Sequence, residues 1–355
     1  MDGKLDLSHG AGSCNGIVCK EERGCDNAAG VRLLCKEGTL ARLIGRKLAL
    51  IVILIPLLNF LGFTYGVAHP RFTSYIGGSV RTLSRYKDQP AKTYGQYIRG
   101  VLSGDLGRVD KTPVTTVIAE PIKHSLILLA VAFLITAVVG PALGLVSISR
   151  RTRRITPLAL VVSTAGLSLP GFFLGVVILG LMIYGALYSS SRGTILPMSG
   201  FGLDEHLILP VLVLASRPTF QIARITAGLL EHELQQDYVR VAQSKGLSGL
   251  ALLWRHALPN VVAPVVTTIG QSTRLLMSGL IIVEVLFLWP GIGRVFMQTI
   301  GIRTDGRAPF QFFAQPELMA AIVVVFGAWL LIADLLASIL ACWSDPRLRN
   351  ALSEQ

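Results

Sequence analysis

Five ionisable side chains, Arg217, Arg224, Arg274, Glu284 and Asp334, interrupt stretches of sequence that are otherwise apolar. A charge at the centre of a membrane helix costs about 3 kcal/mol on insertion scales, so such a group faces a cavity, a partner helix or a counter-charge. Arg217 and Arg274 have the charge to line a pathway and meet an anionic group, such as the carboxylate of a peptide. Glu284 is the third candidate for that pathway; equally, it could pair with one of the arginines as a structural couple. Arg224 lies nearer one end of its stretch, where a long side chain can snorkel to water. Asp334 is expected to hold a packing contact rather than to carry protons.

A second constellation is polar and compact. The segment "DYVRVAQSKGLSGLALLWRHALPN", residues 237–260, parts two apolar stretches. Gly246 is expected to break a helix there, and Ser248 to cap a second, shorter one. Leu247, Leu250, Leu253 and Trp254, spaced by three and four, would then form one apolar stripe, with Arg240, Lys245, Arg255 and His256 as its polar edge. Pro259 is expected to end the segment. A short amphipathic helix tied at both ends to membrane spans suits a groove on a soluble partner. It equally suits a helix resting on the membrane surface.

Other reactive residues form no convincing set. His69, His124 and His206 fall near predicted membrane boundaries; they could suggest nickel, but interfacial polar residues explain them as well. Cys14, Cys19, Cys25 and Cys35 cluster near the N-terminus with spacings that match no zinc or iron–sulfur pattern, and Cys342 is remote. The sequence contains no G-x-x-x-x-G-K-[ST] loop, no H-E-x-x-H and no G-x-S-x-G. The expectation is a protein that is not an enzyme, with no catalytic residues, no cofactor and no metal.

The elements that must position these residues are membrane helices. Of 355 residues, 52% are hydrophobic and only 15% charged, against about 25% charged in soluble proteins. Three runs exceed the ~20 apolar residues needed to cross a bilayer. The chain therefore reads as an all-α polytopic membrane protein with six spans, at 48–68, 125–148, 157–187, 207–230, 261–288 and 319–343. Pro170-Gly171 should kink the third. The net charge of +12 fits cytoplasmic loops and anionic lipid rather than nucleic acid. "SRRTRRI", between spans two and three, carries four arginines and no acid, which places it, and with it both termini, in the cytoplasm. The predicted outer loop is also basic, but loops of that length obey the charge rule less strictly.

The expected organisation is a mobile N-terminal tail (1–47), a first span (48–70), an extracytoplasmic cap (71–123), a five-span core (124–343) and a cytoplasmic C-terminal tail (344–355). "GFTYG" and "GPALG" place Gly62 and Gly66, and Gly140 and Gly144, four apart. That spacing permits close helix contact, or is chance in a glycine-rich membrane protein. "WPGIG", residues 289–293, reads as a sharp outer turn with Trp289 at the membrane interface.

The polar segment resembles the cytoplasmic EAA signature of ABC importer permeases, E-A-A, three residues, G, nine residues, I-x-L-P. Ala242, Gly246, Leu258 and Pro259 match it in type, while Arg240, Val241 and His256 replace its other letters. "QYIRGVLSGDLG", "LSLPGFFLG", "EVLFLWPGIGR" and "SDPRLR" follow in the order of the dipeptide, oligopeptide and nickel branch of those permeases, so the resemblance covers about 48–349. The chain departs from it before Arg42, at "GVAHPRFTSY" after span one, and in carrying Arg217 and Arg274 where the family is apolar or small.

That resemblance implies a transmembrane permease in the cell inner membrane, working by alternating access. It implies two ATPase subunits, a second permease and an extracytoplasmic substrate-binding protein as partners. The long cap suggests that the second permease is a sister chain. Ala242, Gly246, Leu247, Leu250, Leu253, Trp254, Leu258 and Pro259 would then couple ATP hydrolysis to transport through a helix between spans four and five. The rival readings are an ion-coupled secondary transporter that works without ATPase partners, for which only Glu284 and Asp334 offer coupling carboxylates, and a membrane-embedded enzyme.

Overall fold

The structure is a computed structural model that describes residues 25–68, 75–76, 79–80, 93–109, 112–149, 152–188, 196–300 and 315–344; at 25–43, 75–76, 79–80, 250 and 341–344 it describes the backbone alone. Among these residues the regular structure is almost wholly helical. Six helices are long and apolar enough to cross a membrane: Ile44–Ala68, Val114–Val146, Gly171–Tyr188, Glu205–Leu234, Leu253–Leu286 and Pro316–Leu340.

The helices, in chain order, are α1 (Cys25–Ala68), α2 (Tyr94–Leu102), α3 (Val114–Val146), α4 (Pro157–Ser168), α5 (Gly171–Tyr188), α6 (Ile208–Leu234), α7 (Asp237–Ser244), α8 (Gly249–Leu252), α9 (Leu258–Leu286), α10 (Ile292–Thr299) and α11 (Pro316–Ser344). Two minimal antiparallel pairs, 75–76 with 79–80 and 108–109 with 112–113, accompany α2 on the stretch expected to form the cap.

Three boundaries differ from expectation. Residues 25–47 continue span one as helix α1, because Leu, Ala, Lys and Arg dominate that stretch and all are good helix formers. Cys14 and Cys19 lie outside the described residues, as do His69 and the C-terminal residues 345–355. Span two begins at Val114 rather than 125, so the last ten residues assigned to the cap belong to α3. The third span is two helices. Leu169, with ψ 129°, leaves the helical region, as a residue before proline tends to; only α5 is long enough to cross.

α6 is the most enclosed span and α5 the least. The main core packs α6 and α9 against α3 and closes over Phe287 and Trp289. A second cluster joins α3, α10 and α11. A third, at the other end, gathers Leu230 and Leu234 of α6, Val239 and Ala242 of α7, and Leu252, Ala257, Val261 and Val265.

Both glycine pairs are points of close approach. A Cβ on Gly62 would lie 2.8 Å from the Ala320 Cα of α11, and one on Gly140 would lie 2.9 Å from the Ile222 side chain of α6. The same α3 face at Gly144 leaves 2.6 Å to Thr226. Small residues at these positions are what let α1 meet α11 and α3 meet α6.

Candidate functional site

The segment between α6 and α9 folds as two short helices around Gly246. α7 ends at Ser244, and Gly246 takes φ +82°, a conformation that glycine adopts without a steric penalty. Ser248 then caps α8: its Oγ accepts from the Ala251 N–H at 3.3 Å and its carbonyl from the Leu252 N–H at 3.0 Å. The chain does not stop at Pro259. A π turn spans Leu253–Ala257, the Leu258 N–H donates to the Leu253 carbonyl five residues back, and α9 begins at once with Pro259 in its first turn. Near a helix start proline's missing N–H is tolerated.

The π turn also rearranges the expected stripe. A π turn holds more residues than the 3.6 of an α-helix, so side chains beyond Leu252 rotate off the predicted face. Leu252, not singled out by spacing, is fully buried. Leu247, Leu253 and Leu258 pack partly against the same inner cluster, and Ala242 is one of its members. Trp254 turns outward and is 60% exposed, with Val241 and Tyr238 also exposed on α7; Pro259 and Gly246 are exposed. The Leu250 side chain lies outside the described set. The segment thus has an inner face of Val239, Ala242, Leu252 and Ala257 and an outer surface on which Trp254 is the largest apolar group.

Three polar side chains meet where this segment leaves the spans. Glu233 Oε1, in the last turn of α6, accepts from the Tyr238 hydroxyl at 2.6 Å and from Asn260 Nδ2 at 2.7 Å. Asn260 Nδ2 also lies 3.2 Å from the Tyr238 oxygen. Sequence analysis missed this cluster, although an acid, a tyrosine and an asparagine bracketing a polar insert were there to be read.

The intramembrane charges separate into three environments. Arg217 and Arg224, seven apart on α6, share an exposed face, and neither has an acidic partner among the described residues. At mid-membrane a charge such as Arg217 facing lipid would cost about 3 kcal/mol, whereas Arg224, nearer the end of its span, can snorkel to water. Arg274 of α9 instead pairs with Asp334 of α11, which is also bound by Lys47 of α1. Asp334 therefore ties three helices together.

Glu284 does not partner Arg217, Arg224 or Arg274, and it does not face a pathway within this chain. It is fully buried. Its carboxylate accepts from the Ser125 hydroxyl of α3, from the Gly293 N–H at 2.6 Å and from the Arg294 N–H at 3.3 Å. Ser125 Oγ in turn accepts from the Ile292 N–H at 2.9 Å. Two helices thus supply one cap for the three leading amides of α10, at the end where a helix favours negative charge. Gly293 leaves the space: a Cβ there would lie 2.8 Å from the Glu284 carboxylate and from the Ile281 Cα.

"WPGIG" is a turn, and Trp289 is enclosed within the chain. It is fully buried, and its indole N–H donates to the His124 carbonyl at 3.1 Å, which satisfies the one polar group that burial strands. The His124 ring meets the Pro290 carbonyl and packs on Phe201. His206 pairs with Asp204 at 2.8 Å, and that hydrogen bond holds the Asp204 carboxyl below the usual carboxylate range. Among the described residues no group of three or more His, Cys, Asp or Glu side chains is gathered for a metal.

Comparison with known proteins fits this arrangement. Residues 123–350 match the family described as "Binding-protein-dependent transport system inner membrane component". A candidate peptide permease of Brucella suis biovar 1 is 31% identical over 260 residues, covering 72% of this chain and 77% of that one. The glutathione transport system permease protein of Salmonella paratyphi A is 30% identical over 265 residues, covering 74% and 81%. Its counterpart from Escherichia coli O6:H1 is 29% identical over the same length.

Proposed function

This chain belongs to the family of inner-membrane components of binding-protein-dependent transport systems, an ABC importer permease of the peptide branch, and on that premise we propose that it moves peptides or related small solutes inward, driven by separate ATPase subunits. The observation that carries the proposal is the jointed insert at 237–257, the polar connection between the two spans that pack most centrally. Its inner face is fastened to the ends of α6 and α9, while Trp254 projects outward. An apolar anchor on a short connection fixed at both ends can receive a push from a soluble partner and pass it to both helices.

In this reading two ATPase subunits dock against the insert from the cytoplasm. A second permease, a sister chain, faces this one, and an extracytoplasmic binding protein delivers the solute. Both termini lie inside, as the four arginines of "SRRTRRI" favour. ATP-driven closure moves the insert as a rigid body, and α6 and α9 rock to expose the pathway to one side or the other. Arg217, exposed and unpaired among the described residues, is the better placed of the charged side chains to meet a carboxylate; Arg274 is already engaged by Asp334. The peptide and glutathione in the names of two relatives support an anionic or zwitterionic solute.

The carboxylates speak against ion coupling. Glu284 is enclosed and capped, and Asp334 is held by two cations, so neither is free to bind and release an ion with the solute. Trp254→Asp and Gly246→Arg test the proposal. The first removes the exposed anchor; the second forces a side chain into a positive-φ turn at about 1 kcal/mol or more. Both should insert normally in the membrane yet lose uptake while the ATPase continues to turn over. Wild-type uptake in both variants would refute the docking role.

A further inference from the structure

We propose that Glu233, Tyr238 and Asn260 form the joint that makes the insert a rigid extension of spans four and five, and so are positioning residues for coupling. The inference rests on the reading of the insert given above and goes beyond it by naming what keeps the insert from rolling.

Val239, Ala242, Leu252 and Ala257 are buried beside Leu230, Leu234 and Val261, and such contacts are non-directional. They hold the insert down without fixing its angle. Gly246 gives the two halves freedom at their centre. The second half is secured because α8 and the π turn run without a break into α9. The first half, α7, has no such continuity with α9.

The three side chains supply it. Glu233 ends α6, Tyr238 begins α7 and Asn260 begins α9, so one carboxylate oxygen accepts directional bonds from both other elements, at 2.6 and 2.7 Å. Hydrogen bonds at an exposed site add little to stability, yet their geometry sets an angle. Partial burial and the bond to Glu233 raise the Tyr238 pKa above the ordinary phenol value, so the hydroxyl remains a donor throughout the physiological range. A load on the outer surface of α7 then reaches α6 and α9 together rather than bending the connection.

Rigidity can be measured without knowing the solute. With the five native cysteines replaced by serine, spin labels at Val241→Cys and Val262→Cys, both exposed, report the angle between α7 and α9 in the complete importer. The probe is the importer itself, nucleotide-free and then trapped with ATP and vanadate. In the otherwise unaltered protein the expected result is one narrow distance, the same in both states. Tyr238→Phe and Asn260→Ala should each broaden or shift it in the trapped state, with the ATPases still bound and about fivefold more ATP hydrolysed per labelled tripeptide delivered, the factor set by one net hydrogen bond. Where one variant inserts poorly, the other decides, since each removes a different arm of the joint. A distance that changes between states without either substitution, or one that stays narrow in both variants, overturns the proposal. If Trp254→Asp leaves coupling intact while the clasp variants broaden the distance, the docking role fails and the joint stands.

Discussion

A carboxylate enclosed beneath the first turn of α10 exchanges water for three donors, two backbone amides and one hydroxyl. A buried donor left without its partner costs about 1–3 kcal/mol, so truncating Glu284 strands several groups at once. Arg217 is the opposite case, an exposed cation with nothing in the described chain to lose. The two residues separate in one experiment on purified, reconstituted protein. Glu284→Ala should lower the thermal unfolding temperature and the amount of inserted protein while leaving KM unchanged. Arg217→Ala should leave the unfolding temperature and the amount of inserted protein unchanged and raise KM for a carboxylate-bearing solute more than for its amide. Hydropathy flags both as charges in a span and cannot separate them, because it carries no information about Ser125, about 160 residues away, or about the amides of α10. The enclosure of Trp289 is hidden from hydropathy for the same reason, since its partner is the backbone carbonyl of His124.

At the scale of elements, local sequence carries most of the helices and little of their ends. Apolar length is enough to find six spans, whereas Pro170, read as a kink within the third, in fact parts α4 from α5. The second half of the insert fails differently. Its stripe assumes 3.6 residues per turn, and the π turn at Leu253–Ala257 breaks that period, so Trp254 turns out, while Leu252, just before the turn, is the residue that is buried. The clasp escapes a periodic reading altogether, because its members belong to three helices. Close approach is the property that joins elements most firmly here. Gly144 faces the Ala223 carbonyl at 2.8 Å as well as Thr226, so the obstacle to a larger residue is partly backbone and cannot rotate away. Overpacking such a contact typically costs 1–3 kcal/mol, and about the upper end is expected here. Gly144→Leu should therefore lower the unfolding temperature of the purified protein and reduce uptake in proportion to folded protein. A Gly144→Leu protein as stable as the parent would show that α3 and α6 do not pack as described.

For the whole molecule, the distribution of exposed groups is that of a part rather than of a complete machine. α6 exposes two arginines that have no acidic partner among the described residues, and the insert exposes a tryptophan. Partner chains would account for both. The proposed partners are a second permease against the spans and an ATPase against the insert, the subunits that the family relationship implies. A photo-crosslinking amino acid placed at position 254 of the assembled importer addresses the second most directly. Irradiation from the cytoplasmic side, followed by mass spectrometry of the adduct, should join this chain to an ATPase subunit, with a yield that changes when ATP and vanadate are added. An adduct formed only with lipid or with the extracytoplasmic binding protein would contradict the account.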